Sequence, residues 1–276
     1  PYLSKLNSGS VFLKLENAQK TGSFKFRGAI SKISSLSEQE KSKGVITAST
    51  GNHGAACSLA MSLMNVNGSI VVPKNAQKNK IDKIKLYGAD IEFFGQDCID
   101  AEMHAQAISK DSGLVYISPY NDNEIIFGQG TIGYEIAQDM NNIDAVFISV
   151  GGGGLISGIG GYLKSIQRET SIFGVSPINS CVMFESLKSG KLLEIPSLPA
   201  LSDGTAGGVE KDSITFDYCK EYIDEFLTVT EDQIIEGMIG CIEKDHCLVE
   251  GAAGAAVAGY LKKADELKGK TVVIII

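Results

Sequence analysis

Four consecutive glycines, Gly151-Gly152-Gly153-Gly154, join a strand-like run to a helix-like run, and this junction constrains the fold more than any other stretch. The run before it, Asp144-Ala145-Val146-Phe147-Ile148-Ser149-Val150, is short, apolar and β-branched, as a strand buried in a parallel sheet should be. The run after it, from Leu155 to Leu163, continues with apolar residues at helical spacing. Glycines that turn a strand into a helix leave backbone N–H groups at the positive end of the helix dipole, where a dianionic phosphate binds. A P-loop is excluded, because Leu155-Ile156 stands where Lys-Ser/Thr must follow. A dinucleotide fingerprint is excluded too: its third glycine falls on Ser157 when counted from Gly152, and on Ile156 from Gly151. The next strand-like run, Ser171 to Val175, ends at Ser176-Pro177 with no acidic residue for a ribose. Alone, the cluster reads as a tight turn or as a phosphate site of another kind.

Around this junction strands and helices alternate, which implies parallel sheets. Val11–Leu15 reads as a strand and Phe24–Ser35 as a helix. Val45–Ala48, Ser69–Val72, Asp90–Phe93 and Leu114–Ile117 read as strands, separated by helices over Asn52–Met64, Ala76–Leu86 and Cys98–Lys110. Asn123–Met140 reads as a longer helix leading into the glycine strand, and a second α/β series follows it. The expectation is an α/β protein of two domains with a cleft between them. Residues 1–43 plus 122–276 form the large, discontinuous domain, and residues 44–121 the small inserted one.

The chain has 276 residues, enough for two ordinary domains with buried cores. Its net charge of −8 argues against a nucleic-acid partner, which needs basic patches. No apolar stretch reaches the roughly 18 residues of a membrane span, and no export signal is read at the start. The six cysteines form no Cys-x-x-Cys pair and read as buried free thiols of a reducing cytoplasm. His53, His104 and His246 are far apart in sequence and give a metal site little support. The chain begins at Pro1 without a methionine and stops inside the apolar run Thr271–Ile276, so it reads as a piece of a longer one.

Three further segments carry chemistry. In Ser23-Phe24-Lys25-Phe26-Arg27-Gly28, Lys25 lies between two aromatics at a helix start that Ser23 would cap. Partial desolvation there would lower its pKa, and a neutral amine is the form that makes a Schiff base; the plain alternative is a surface lysine. Ser49-Thr50-Gly51-Asn52-His53-Gly54 follows a strand and opens a helix, where ligands bind in open α/β sheets. Its N–H groups and hydroxyls suit a carboxylate, and Asn52 can donate to a phenolate-like oxygen. It also reads as an ordinary Asn/Gly-rich turn, with His53 only packing or orienting the loop. Phe127-Gly128-Gln129-Gly130-Thr131 interrupts a predicted helix and reads as a close helix–strand contact.

In this order and at this spacing, the Lys25 segment, the Ser-Thr-Gly-Asn-His-Gly loop, Gly-Gln-Gly-Thr and the tetraglycine turn resemble the fold type II pyridoxal-phosphate enzymes, those of the tryptophan synthase β type. Within that group the chain is similar to the serine/threonine dehydratases and serine racemases, from Tyr2 to Ile276. The resemblance implies two parallel-sheet α/β domains with pyridoxal 5'-phosphate between them, a small amino-acid substrate and a cytoplasmic homodimer. It makes Lys25 the Schiff-base lysine and the base at Cα, and Asn52 the partner of the cofactor's 3′-oxygen. Gly151, Gly152, Gly153, Gly154 and Leu155 would hold the phosphate through backbone N–H groups. Ser49, Thr50, Asn52 and His53 would grip the substrate carboxylate. Gly204 matches a glycine near the cofactor, and Glu250 an acidic position behind its ring. The hydroxyl or thiol that faces the pyridine nitrogen is expected beyond Ile276.

Two departures from the resemblance bear on the reaction. Racemases have serine where this chain has Thr50, the second base on the opposite face, so elimination is expected to exceed racemisation. Many relatives bind a divalent cation through acidic residues after the Gly-Val strand, but Val175–Val182 holds no carboxylate and no metal is expected there. The implied reaction is β-elimination of water from L-threonine or L-serine to give a 2-oxo acid and ammonia. A serine racemase, a 3-hydroxyaspartate ammonia-lyase and a sulfhydrylase are the alternatives on the same scaffold. A non-enzymatic amino-acid sensor is the alternative from another class, and the presence of Lys25 argues against it.

Overall fold

The computed structural model of the protein describes residues 1–166 and 169–276. In chain order the first elements are α1 (Leu3–Asn7), β1 (Ser10–Lys14), α2 (Lys25–Ser35), α3 (Glu38–Lys43), β2 (Val45–Ala48) and α4 (Asn52–Met64). Next come β3 (Gly68–Val72), α5 (Lys78–Lys85), β4 (Asp90–Phe93), α6 (Cys98–Ser112), β5 (Val115–Tyr116) and α7 (Asn123–Asp139). The chain continues through β6 (Ala145–Ser149), α8 (Gly154–Ile166), β7 (Ser171–Pro177), α9 (Val182–Ser189) and α10 (Thr215–Tyr222). It ends with β8 (Glu225–Val229), α11 (Glu231–Asp245), α12 (Gly251–Lys263) and β9 (Thr271–Ile275). The alternation expected from the sequence is therefore observed.

The chain divides into two compact units, one of Ala18–Gln129 and one of Pro1–Asn17 with Gly130–Ile276. In the first, four parallel strands lie in the order β4-β3-β2-β5. Its core gathers the β-branched strand residues Val45, Ile70 and Val72 against Ala29 and Ile33 of α2 and Ala56 and Ala60 of α4. In the second, five parallel strands lie in the order β1-β9-β6-β7-β8. Phe147, Val272 and Ile274 of its strands pack on α12, whose Ala255, Ala256, Val257 and Tyr260 are all fully buried. Helix α12 reads Gly-Ala-Ala-Gly-Ala-Ala-Val-Ala-Gly, and such small side chains let neighbouring backbones approach closely. Both sheets are wholly parallel, and their inner strands β2, β3, β6, β7 and β9 are mostly apolar and buried, whereas the edge strand β4 (Asp-Ile-Glu-Phe) alternates and is largely uncovered.

The unit boundaries differ from those expected at 43/44 and 121/122. Helix α2 belongs with 18–129, because Ala29 and Ile33 lie in the same core as Val45 and Ala56. The boundary at the other end falls inside α7, after Gln129. Helix α7 itself runs unbroken through Gly128-Gln129-Gly130, so these glycines do not interrupt it. They make close helix–helix contacts instead of the helix–strand contact expected. A Cβ on Gly128 would lie 2.5 Å from the Arg27 carbonyl oxygen and 2.6 Å from Cα of Gly28.

Candidate active site

In an open parallel sheet, ligands bind beyond the carboxyl ends of the strands, where the strand order reverses. In the order β4-β3-β2-β5 that point lies between β2 and β5. The Ser49–Gly54 loop follows β2, and the segment Ile117 to Asp122 follows β5. In the order β1-β9-β6-β7-β8 the reversal lies between β6 and β9, and the tetraglycine turn follows β6. Each unit thus carries one of the expected ligand loops at its own switch point.

Lys25 is half-buried and is the first residue of α2. Its Nζ donates to the Pro119 carbonyl at 2.8 Å and lies 5.3 Å from the centre of the Phe24 ring. Ser23 does not cap the helix as expected: the N-cap is Phe24, in helical geometry, and no side chain caps it. The buried hydroxyls of Ser23 and Thr21 have no hydrogen-bond partner among the described residues. Buried polar groups left so by the protein are what a bound polar molecule satisfies.

The loop after β2 is ordered by its own side chains. Ser49 Oγ accepts from the Gly51 N–H at 3.2 Å, and α4 begins at Asn52 with no side-chain cap on its first turn. The leading N–H groups of this 13-residue helix suit an anion. Lys83 donates to Asn52 Oδ1 at 3.2 Å, which makes Nδ2 the end of the amide that donates. Thr50, beside Asn52, is half-buried.

The His53 imidazole is used differently. It is buried, and its Nε2 donates to the Ile117 carbonyl at 3.1 Å, an oxygen that also accepts from Thr47 Oγ1 at 2.7 Å. Burial pushes its pKa down to about 3, and the charge of Lys25 adds to the effect. A neutral imidazole bonded to the backbone is a clamp between the β2 loop and the end of β5, two residues before Pro119. Cys57 Sγ lies 3.5 Å from Nε2, and burial pushes this thiol up to about 12.

In the other unit, β6 ends at Ser149 and α8 begins at Gly154. Gly153 has φ +87°, the left-handed region that only glycine enters freely. A Cβ on Gly151 would lie 2.7 Å from the Thr205 carbonyl oxygen, so the turn leaves no room for a side chain there. The N–H groups of Gly154 and Leu155 open α8 without partners inside it. Gly204 sits in the short 3-10 turn Asp203–Thr205, and a Cβ on it would lie 3.5 Å from Glu250 Oε1. The structure therefore brings Gly151, the 203–205 turn and Glu250 together within this unit. Ser176 Oγ donates to the Val150 carbonyl at 2.7 Å, and Ser180 Oγ accepts from the Gly207 N–H at 3.0 Å. In the stretch expected to lack metal ligands, hydroxyls serve the protein's own backbone.

Sequence reasoning missed Pro119, Lys83, Thr47 and the residues beneath the glycine turn, Ser213, Thr215 and Cys219. A strand-end rule applied to β5 points to the Pro119 segment; nothing in the sequence marks Lys83 or Thr215.

The donor set fits pyridoxal phosphate: an amine, an amide donor and a glycine cradle whose N–H groups suit a phosphate. The sequence pattern of pyridoxal-phosphate dependent enzymes matches residues 1–276, the whole chain. An L-threonine ammonia-lyase of Thermotoga maritima is 40% identical over 274 residues, 99% of this chain and 68% of that one. The solved structure of the processed form of threonine deaminase isoform 2 from Solanum lycopersicum superposes with a TM-score of 0.95 at 36% identity, covering 99% of this chain and 80% of that one. Maize serine racemase superposes with a TM-score of 0.93 at 30% identity, covering 99% and 84%. With its whole length matched and its two parallel-sheet units in place, the chain belongs to the pyridoxal-phosphate dependent enzymes.

Proposed function

We propose that the protein removes water from L-threonine or L-serine and releases a 2-oxo acid and ammonia. The observation that carries this reading is the 40% identity, along nearly the whole chain, to an L-threonine ammonia-lyase. The presence of Lys25 at the head of α2 supports a catalytic protein over a sensor. Pyridoxal phosphate, when bound, supplies an electron sink for the negative charge that develops at Cα. The chain's residues do the rest. Lys25 Nζ would hold the cofactor and would take the proton from the substrate Cα. The leading N–H groups of α4, with Ser49 and Thr50, hold the substrate carboxylate. Asn52 Nδ2 would donate to the cofactor's 3′-oxygen, and Lys83, bonded to Oδ1, keeps the amide turned for it. The His53 imidazole supports the loop through Ile117 rather than touching the carboxylate; only its backbone N–H serves the anion. Gly151 to Leu155 would hold the phosphate through backbone N–H groups, and Gly204 and Glu250 would line the ring.

Thr50 sets elimination above racemisation. By the family resemblance its hydroxyl would take the place of a racemase's second base, and its extra methyl is stiff about χ1. The test is to supply L-threonine and L-serine to the purified protein, then measure 2-oxo acid, ammonia and the chirality of recovered serine. Pyruvate is expected to exceed D-serine, and Thr50→Ser to raise D-serine with dehydration nearly unchanged. D-serine forming faster than pyruvate in the unchanged protein overturns the dehydratase reading.

The finer assignments belong to the same proposal. All six cysteines are free, three of them buried, which supports work in a reducing cytoplasm. No helix among the described residues is long and apolar enough to cross a membrane. The working form is a homodimer, as the family resemblance implies.

A further inference from the structure

Beneath the glycine turn the structure holds a relay that the reaction scheme does not use. Thr215, the first residue of α10, donates its hydroxyl to the Gly152 carbonyl at 2.6 Å. That commits its only proton, so Ser213, whose Oγ is 2.7 Å away, is the donor to Thr215 Oγ1. Thr215 is fully buried and Ser213 is 5% exposed. One residue on, the Gly153 carbonyl accepts from Ser157 Oγ at 2.7 Å and from the Ser157 N–H at 3.0 Å. A Cβ on Gly153 would lie 2.7 Å from Cys219 Sγ and 3.1 Å from Thr215 Cβ, so this glycine is seated directly on α10.

In a trans peptide the C=O and the following N–H point in opposite directions, and none of the described peptides is cis. Holding the Gly152 oxygen inward on Thr215 therefore turns the Gly153 N–H outward. Without that bond, a peptide between two glycines is free to rotate through conformations that other residues cannot reach. We propose that Thr215, with Ser213 behind it, is a positioning residue that aims the Gly153 N–H at the cofactor phosphate. It thereby makes the cradle selective for a phosphate-bearing ligand. The assignment rests on Gly151–Leu155 being the phosphate site, and it adds what holds that site in its binding conformation.

The test compares pyridoxal phosphate with pyridoxal, which lacks only the phosphate. Each is titrated into the full chain stripped of cofactor, with thermal unfolding as a check on folding. Thr215→Val is expected to weaken pyridoxal phosphate binding about tenfold, as for one lost charge-assisted hydrogen bond, and to leave pyridoxal binding unchanged. Thr215→Ser keeps the hydroxyl and restores the affinity. Unchanged binding of pyridoxal phosphate by Thr215→Val, or a parallel loss of both aldehydes, overturns the assignment. If Thr215→Val does not fold, Ser213→Ala decides. A loss of roughly threefold for pyridoxal phosphate alone supports the relay, and no loss overturns it. A parent protein that binds both aldehydes equally well removes the phosphate reading itself, and the role of Thr215 with it.

Discussion

Lys25 and His53 lie 28 positions apart and meet around the end of one strand. Lys25 Nζ reaches the Pro119 carbonyl, while the neutral His53 ring holds the Ile117 carbonyl. Lys25→Ala trims a half-buried side chain outside both hydrophobic cores, so the unfolding temperature is expected to stay within a few degrees of the parent. Release of 2-oxo acid and ammonia is expected to vanish. Ammonia release within about tenfold of the parent, or roughly 1.4 kcal/mol, would assign the Cα base to another group. For His53 the sign follows from a folded pKa near 3, below the ordinary 6.5. Above pH 6.5 the ring is neutral folded or unfolded, and its contribution is fully present. As pH falls from 6.5 towards 3 the unfolded chain gains a proton that the folded ring refuses, and that contribution is lost. Compared with His53→Gln, the parent is expected to lose ground by up to about 1.4 kcal/mol per pH unit across this window. Urea melts of both proteins at several pH values measure this; a constant difference would show that the buried ring titrates normally.

Among the elements, Gly128 of α7 sets how closely α2 approaches within the 18–129 unit. Gly128 abuts the Arg27–Gly28 backbone, and Gly28 in turn has its missing side chain's place taken by Gln129 and Ile125. Gly128→Ala puts a methyl against backbone that cannot rotate away. It is expected to destabilise the protein by roughly 1–3 kcal/mol and, by shifting the helix that carries Lys25, to lower kcat. Gly208→Ala is the control, since a Cβ there meets nothing within 4 Å. Its unfolding temperature is expected to match the parent's, and equal loss in both variants would argue against the crossing. The elements themselves were legible in sequence: β2, β4 and α4 fall where their apolar runs and flanking turn residues put them. Ser23 as a cap was not, because a serine before a helix reads alike whether its hydroxyl turns to the backbone or stays buried beside it. The Gly128–Gly130 stretch misled for a related reason. Glycine marks a close approach without naming the partner, and here the partner is a helix.

For the whole molecule, a chain of 29.3 kDa is expected to give twice that mass by light scattering at micromolar concentration, and a single-chain mass under those conditions would rule out the homodimer. The α/β class, both parallel sheets, the glycine turn and Lys25 were legible along the chain, because buried strands, helical spacing and glycine runs are local properties. Lys25, Asn52 and the Gly151–Gly154 turn could be named for the same reason: each sits in a short motif that carries its own chemistry. Packing between distant segments settled that α2 joins the 18–129 core and that the His53 ring binds Ile117. It alone put Lys83 on Asn52 and Thr215 beneath Gly152. These pairs are 64, 31 and 63 residues apart, brought together by strand order and helix packing. No local pattern encodes a partner at that separation, since which groups meet is set by where the sheet reverses and how closely its helices approach.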